Sequence, residues 1–220
     1  MNNHVLHKVP TTILSITIFL FPENAMEDLK GLKSDILNSV SKSIGSWTKA
    51  EMNAKLQRLE KQLFDFANFI ESKIIMMYMA RPLEVDTTSI INRCLKLNKI
   101  IVLPVQTKDK FKLNLFKIDN LKEDVKSGLK GNVEPDPDKC KKVPIKHIDI
   151  AIIPGVAFDE KGGRMGQGDG FYDRLIPKLP ITTRKVALAF DEQILQQVPM
   201  ESANKHVDII ITETRVIYKI

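Results

Sequence analysis

The segment IDIAIIPGVAFDEKGGRMGQGDGFYDRLI, residues 148–176, is the most informative part of this chain. Its first seven residues are almost entirely apolar, as in a short strand buried on both faces of a parallel sheet. This run leads directly into a segment with five glycines between 162 and 170, and a helical pattern begins at Phe171. A strand, a glycine-rich turn and a helix in that order predict one unit of an α/β fold.

Similar apolar runs recur along the chain and alternate with segments of helical periodicity. Apolar residues between 29 and 40 recur at helical spacing, and Thr48 with Glu51 forms a capping box for a second helix with apolar residues as far as Ile70. This alternation predicts an α/β fold, a single-domain αβα sandwich with a mostly parallel central sheet and N-terminal helices. The predicted strands are 74–80, 100–105, 111–115, 148–154, 185–190, 206–212 and 215–220; a third helix covers 87–97, and 128–144 is a surface loop.

Composition and charge narrow the class of protein. The 220 residues are 43% hydrophobic and 27% charged, with a net charge of +6, which is ordinary for a globular protein. The positive charge is spread along the chain with no basic helix interleaved with aromatic residues, so we expect no nucleic-acid partner. Two cysteines cannot build a disulfide framework or a zinc site, and the pattern of the four histidines argues against a zinc enzyme or a histidine-based triad.

The N-terminal segment differs from the rest. Residues 13–21 form an apolar run that is too short to span a bilayer, so we expect no membrane partner, and a helical pattern opens at Met26. We therefore predict that residues 1–25 are a dispensable extension or follow an upstream start, and that 26–220 form the domain. An organellar or secretory targeting signal in 1–25 is the alternative. The corresponding expectations are a cytoplasmic location, or a mitochondrial or other organellar one.

The glycine-rich segment has the composition of an anion-binding loop. Glycines at 166, 168 and 170 permit positive φ and a close approach of the backbone to a ligand, and successive N–H groups in such a turn can face an anion. Arg164 before the turn could bind phosphate oxygens, and Asp173 after it is a hard oxygen donor suited to Mg²⁺. The spacing is neither that of a dinucleotide-binding fingerprint nor that of a P-loop. A phosphate site is favoured over a loop without a ligand.

The residues PGVAFDEKGGRMGQGDGFYDRLI, 154–176, closely resemble the signature of the 5-formyltetrahydrofolate cyclo-ligases, also called 5,10-methenyltetrahydrofolate synthetases. The segments MYMARPLEVDT, KIIVLPV, GNVEPD and HVDIIITE follow in the order of that family, so the resemblance covers nearly everything after Met26. It implies conversion of 5-formyltetrahydrofolate to 5,10-methenyltetrahydrofolate, with ATP as co-substrate, Mg²⁺ as cofactor, and release of ADP and phosphate. It also implies 5-formyltetrahydrofolate and ATP as partners, and we expect the chain to act as a monomer.

The resemblance also implies a set of site residues. Arg164 and Lys33 would be catalytic, and Asp173 and Asn204 would hold the metal. The folate would contact Lys33, Met79, Glu84, Gln167, Gly168, Asp169, Gly170 and Phe171. ATP would contact Lys30, Lys33, Arg164, Met165, Gly166, Gln167, Gly168, Asp169, Gly170, Phe171 and Tyr172.

Three positions depart from the family pattern. Lys33 stands in place of an arginine, which keeps the charge but loses the bidentate fork, and Phe171 replaces a tyrosine. Asn204 stands in place of an aspartate, and a neutral amide is a weaker Mg²⁺ ligand. These departures support an alternative, a nucleotide- or folate-binding homologue with little or no turnover. A different ATP-dependent ligase on the same scaffold is a further alternative.

Overall fold

The computed structural model describes residues 23–107, 109, 113–128, 132–168, 170–201 and 203–219. Residues 1–22, the start of the predicted strand 111–115, and Asp169 therefore lie outside the described residues. The helices are α1 Glu23–Gly45, α2 Lys49–Asp65, α3 Ala67–Glu71, α4 Thr88–Lys96 and α5 Phe171–Leu175. The strands are β1 Ile74–Met76, β2 Ile100–Gln106, β3 Leu113–Ile118, β4 Val125–Ser127, β5 Val133–Pro135, β6 Ile150–Ile152, β7 Ala157–Asp159, β8 Arg164–Met165, β9 Arg184–Leu188, β10 Ile194–Leu195, β11 Ile209–Ile211 and β12 Val216–Tyr218.

Within the described residues, seven strands form the central sheet in the order β12-β11-β9-β6-β1-β2-β3. The five inner strands are parallel, and the two edge strands β12 and β3 are antiparallel to their neighbours. In this register Ile75 lies between Ile101 of β2 and Ile150 of β6. The inner strands β1, β6 and β11 are buried on both faces, which explains why they are continuous apolar runs rich in isoleucine.

Alternate residues of each strand supply two separate cores. Ile75 and Met77 pack with buried residues of α2 and α4, whereas Met76 packs on the other face with Leu175 of α5. Helices therefore cover both faces of the sheet, and the predicted αβα sandwich with a mostly parallel sheet is confirmed.

Several predicted boundaries differ from the structure. The Thr48–Glu51 capping box is present, but the predicted helix through Ile70 is interrupted at Phe66, which has extended backbone angles between α2 and α3. Ile70 is 57% exposed and does not join the core as its spacing suggested. The prediction of a surface loop at 128–144 is wrong in part, because β5 pairs with β4 there and Glu134 is buried.

A small second sheet, β10-β7-β8, supports the glycine-rich segment and was not predicted. Helix α1 packs on it through Val40, which joins Val156, Met165 and Val198 in a third apolar cluster. The helix begins at Glu23, slightly ahead of the predicted start at Met26. None of the helices within the described ranges is long and apolar enough to cross a bilayer.

Candidate active site

A cleft of ≈ 400 Å³ opens where the parallel strands β1, β2 and β6 end. Crevices at the carboxyl ends of parallel strands are the usual ligand sites of open α/β sheets. The walls come from α1, from the turn after β1, from the end of β2, and from residues 132–134, 164–168, 170–174, 199, 201, 203 and 204. Segments far apart in the sequence therefore meet at one opening.

Most of the residues singled out from the sequence line this cleft. Lys30 is exposed on α1 and is not part of the lining, and Asp169 lies outside the described residues. The predicted residues that the structure brings together are Lys33, Met79, Glu84, Arg164, Met165, Gly166, Gln167, Gly168, Gly170, Phe171, Tyr172, Asp173 and Asn204.

The glycine-rich loop uses its glycines for two different reasons. Gly168 has φ of 97° and Gly170 has φ of 64°, both in the region that favours glycine. Gly166, which was also expected to permit positive φ, does not adopt it; a Cβ there would lie 2.7 Å from Arg164 Nη1, so the requirement at this position is space. A Cβ on Gly168 would meet nothing within 4 Å, so the backbone at this position faces open space in the cleft.

Arg164 supports the base of the loop. Its side chain is only 5% exposed, Nη1 donates to the carbonyl of Pro154 at 3.1 Å, and Nη2 pairs with Asp173 Oδ1 at 2.8 Å. Its buried Nε has no hydrogen-bond partner within the part of the chain described. The fork that was expected to bind phosphate is thus bound to protein groups in this structure.

Asp173 connects the loop to the segment 199–205. Besides Arg164, its Oδ1 accepts from the backbone N–H of Lys205 at 3.0 Å. Its Oδ2 has a longer contact of 3.4 Å with Asn204 Nδ2. The carboxylate therefore joins these segments by hydrogen bonds, and it is also a candidate metal ligand.

The side chains of Asp173 and Asn204 offer few oxygen ligands for Mg²⁺. Asp173 Oδ2 offers one carboxylate oxygen, whereas Asn204 Oδ1 accepts from the backbone N–H of Glu201 at 2.7 Å, and its amide nitrogen faces Asp173. No group of three or more acidic, histidine or cysteine side chains suited to a metal occurs among the residues described. Mg²⁺ commonly takes only one or two protein carboxylates together with water and phosphate oxygens, so Asp173 fits such a role.

Lys33 reaches the cleft from α1 and forms an ion pair with Glu201. The lysine side chain is 31% exposed and the glutamate side chain 51% exposed, so water screens this pair substantially. Because Glu201 belongs to the segment that also contacts Asp173, the pair connects α1 with the base of the glycine-rich loop.

Glu84 is presented by a tight turn after β1. The backbone N–H of Arg81 donates to Glu84 Oε2 at 2.9 Å, and the side chain of Gln167 donates to the carbonyl of Pro82. Beneath the turn, the fully buried Tyr78 hydroxyl donates to the carbonyl of Val85 at 2.9 Å. Burial raises the pKa of Tyr78 well above its ordinary value, so this hydroxyl keeps its proton and its hydrogen bond.

Several polar residues of the cleft were not predicted from the sequence. Glu134 is 7% exposed and lies on β5, within the range predicted as a surface loop. Its place in GNVEPD, a segment that already supported the resemblance, was the available signal. The other polar lining residues that were missed are Arg81, Gln106, Asn132, Arg174 and Glu201.

Comparisons with known proteins agree with this geometry. The family model described as the 5-formyltetrahydrofolate cyclo-ligase family matches residues 30–213. A probable 5-formyltetrahydrofolate cyclo-ligase of Caenorhabditis elegans is 27% identical over 198 residues, covering 86% of this chain and 96% of that protein. The 5-formyltetrahydrofolate cyclo-ligase of Escherichia coli K12 is 28% identical over 169 residues, covering 73% and 88% respectively.

Solved structures agree as well. The NMR structure of Aquifex aeolicus 5,10-methenyltetrahydrofolate synthetase superposes with a TM-score of 0.73 at 27% identity, covering 86% of this chain and 93% of that one. A Mycoplasma pneumoniae 5,10-methenyltetrahydrofolate synthetase shares the fold, with a TM-score of 0.64 at 20% identity. The resemblance read from residues 154–176 is thereby confirmed, and the chain is an enzyme that belongs to the 5-formyltetrahydrofolate cyclo-ligase family.

Proposed function

We propose that this enzyme converts 5-formyltetrahydrofolate to 5,10-methenyltetrahydrofolate in a reaction that requires ATP and Mg²⁺ and releases ADP and phosphate. One observation carries the proposal: the glycine-rich loop and Glu84 line the same cleft, although they come from distant parts of the chain. This supports the proposal, because a loop suited to phosphate and a carboxylate suited to the N–H groups of a pterin ring would then contact two substrates bound side by side.

The chemistry proposed for the cleft has two steps. The formyl oxygen on N5 attacks the γ-phosphorus of ATP, ADP leaves, and an N5-iminium phosphate forms. N10 then attacks the formyl carbon, phosphate leaves with the former formyl oxygen, and N10 loses its proton to give the methenyl bridge. Both steps depend on positioning and charge neutralisation more than on an acid–base pair.

The lining residues suit these needs. Backbone N–H groups around Gly168 can face phosphate oxygens, and the ammonium of Lys33 can approach them by leaving Glu201. Arg164 is too deeply buried to reach far into the cleft, so we assign it to holding the loop and Asp173 in place. Glu84, whose carboxylate also caps the backbone of its own turn, would orient the pterin.

For the metal, Asp173 is the proposed protein ligand, through Oδ2. Mg²⁺ bound there would neutralise charge on the triphosphate. Participation of Asn204 through its oxygen would require the amide to turn over, because that oxygen accepts from Glu201 in this structure. The contribution of the chain itself is to hold Asp173 in position through Arg164 and the Lys205 backbone.

The experiment is a spectrophotometric assay of methenyl product with purified protein, ATP, Mg²⁺ and 5-formyltetrahydrofolate. We expect one ADP and one phosphate for each product molecule, and no product when ATP or Mg²⁺ is omitted. 5-Methyltetrahydrofolate is the matched control substrate, because it has no formyl oxygen to attack phosphorus and should release no ADP. ADP formation that is independent of the folate would contradict the proposal.

One observation favours a second candidate, a binding homologue with little turnover. Asn204 supplies no charge to the metal, and its oxygen is engaged by the Glu201 backbone. Such a protein would bind ATP and 5-formyltetrahydrofolate in calorimetry but form no methenyl product at any Mg²⁺ concentration. The assay above separates the two candidates directly.

A further inference from the structure

Gln193 is a fully buried glutamine that does not line the cleft but is bonded to two of the segments that build it. It ends a short 3-10 helix, Asp191–Gln193, between β9 and β10, and it is 0% exposed. Its Oε1 accepts from the backbone N–H of Phe190 at 2.9 Å. Its Nε2 donates to the carbonyls of Leu83 at 2.9 Å and of Val156 at 2.8 Å. The amide oxygen and both amide hydrogens are therefore engaged.

The first carbonyl belongs to the turn that presents Glu84. Leu83 has φ of 70°, a left-handed conformation that is unfavourable for a residue with a Cβ. Such a conformation persists only where surrounding contacts stabilise it. The buried hydrogen bond that the Leu83 carbonyl accepts is such a contact, and it lies immediately before Glu84. The direction of the Glu84 side chain thus depends on a peptide that Gln193 holds.

The second carbonyl belongs to the base of the glycine-rich loop. Val156 lies two residues after Pro154, whose carbonyl binds Arg164, and its own N–H donates to the carbonyl of Met165 at 2.7 Å. Met165 directly precedes Gly166, the first glycine of the loop's G-x-G-x-G run. Val156 is therefore bonded to Gln193 through its carbonyl and to the start of the loop through its N–H.

We propose that Gln193 is a positioning residue: its one amide group sets the Glu84 turn at a fixed distance from the glycine-rich loop. Its kinetic consequence rests on the proposed function, since Glu84 and the loop would bind the two substrates. The amide suits this task because one planar group with two donors can bind two carbonyls at once. An apolar side chain of similar size would fill the same space and leave both carbonyls unsatisfied.

The first test measures the turn without any substrate. Amide hydrogen exchange of Glu84, whose N–H donates to the Arg81 carbonyl at 3.1 Å, is compared between the wild-type protein and Gln193→Met. We expect exchange at residues 81–86 to accelerate about tenfold or more, the effect of losing a net hydrogen bond or more, while amides of β9 and β11 stay unchanged. Gln197→Met, the same substitution at an exposed position nearby, is the matched control and should change neither region.

The second test is kinetic and separates positioning from general destabilisation. Gln193→Met should raise the KM for 5-formyltetrahydrofolate about tenfold, consistent with one or two lost hydrogen bonds. Glu84→Gln should then cost much less in the Gln193→Met background than in the wild-type protein, because Glu84 is already misplaced there. If Glu84→Gln had the same effect in both backgrounds, the proposal would be overturned. A lower melting temperature of Gln193→Met with unchanged KM and unchanged exchange at 81–86 would also overturn it.

Gln193→Glu covers the case in which Gln193→Met does not fold. The new carboxylate keeps an acceptor for Phe190 but has no hydrogen to give to Leu83 or Val156. Burial beside two carbonyls raises the pKa of this carboxyl, and once protonated it regains one donor, so its activity and its turn protection should recover in part as the pH falls from about 8 to about 5. A variant equal to the wild-type protein in both measurements over this whole range would overturn the proposal. A wild-type protein without turnover would count against the proposed function alone, since the exchange measurement needs no substrate.

Discussion

Arg164 and Asp173 form a buried ion pair beneath the glycine-rich loop, with 2.8 Å between Nη2 and Oδ1. The side chains are 5% and 13% exposed, respectively. An aspartate at the start of a helix usually caps it, but the residue at the N-cap of α5 is Gly170, and no side-chain cap is formed there. The position of Asp173 is therefore explained by its partners outside the helix, Arg164 and the backbone of Lys205.

This pairing predicts that Asp173→Asn lowers stability as well as activity. Breaking a buried pair leaves the Arg164 charge uncompensated, which typically costs about 3 kcal/mol in the free energy of unfolding. Urea denaturation checks the value. The matched control is Asp208→Asn, which removes a more exposed pair with Lys185 at 2.9 Å; losing that pair should cost about 1 kcal/mol or less.

If Asp173 also binds Mg²⁺, raising the Mg²⁺ concentration should restore part of the turnover of Asp173→Asn by mass action. An Asp173→Asn protein of wild-type stability would contradict the structural part of this prediction.

Gly168→Val should weaken ATP binding with little effect on global stability. Valine disfavours the φ of 97° at this position, while its side chain would meet no protein atoms within 4 Å of the Cβ. The loop would shift at a cost of about 1–3 kcal/mol, and we expect the KM for ATP to rise roughly tenfold or more. Gly166→Ala is the comparison, because its Cβ would displace Arg164 and should lower the melting temperature as well. Normal ATP affinity in folded Gly168→Val would argue against phosphate at this loop.

The five inner strands were predictable because they are parallel and buried on both faces, which produces continuous apolar runs, whereas their order in the sheet was not. The glycine-rich loop was predictable because only glycine tolerates φ of 97° at residue 168. The break at Phe66 and the hairpin containing Glu134 were not predictable, since neither leaves a periodic pattern in the sequence. The sequence could not show either that Gln193 bonds to residues 83 and 156, because these hydrogen bonds join segments far apart in the chain.

A chain that starts at Met26 should fold and turn over normally. The apolar residues by which α1 packs on the small sheet, Ile36, Leu37, Val40 and Ile44, all lie after this start. Its melting temperature and kcat/KM should equal those of the full chain. A chain starting at Asp35 keeps the packing residues but loses Lys33, so it should fold yet bind ATP more weakly. A large loss of stability in the Met26 protein would show that the preceding segment docks on the domain.

Cys94 should be inert in the folded protein. Burial raises the pKa of its thiol from 9.0 to about 12, against the opposing effect of Lys99, so the reactive thiolate is scarce at neutral pH. Cys140 is only partly buried and should react first with a thiol reagent.

Because the folded-state pKa is raised, the contribution of the Cys94 proton to stability is complete below pH 9.0 and is lost as pH rises toward about 12. Stability should therefore fall more steeply over that range in the wild-type protein than in Cys94→Ala; parallel curves would contradict this.

Glu201→Gln should tighten ATP binding, because Glu201 holds the ammonium of Lys33 and adds a negative charge to the wall that faces the cleft. In the wild-type protein Lys33 must exchange this carboxylate for a phosphate, whereas the amide of Glu201→Gln competes far less. Since both side chains are partly exposed, we expect a gain of about 1 kcal/mol or less, a decrease of up to about fivefold in the KM for ATP. The gain should shrink as the salt concentration rises, because salt screens exposed charges.

Glu160→Gln, which removes an exposed carboxylate paired with Arg215 away from the cleft lining, is the control and should leave the KM unchanged. A higher KM in Glu201→Gln would mean instead that Glu201 holds Lys33 where ATP needs it.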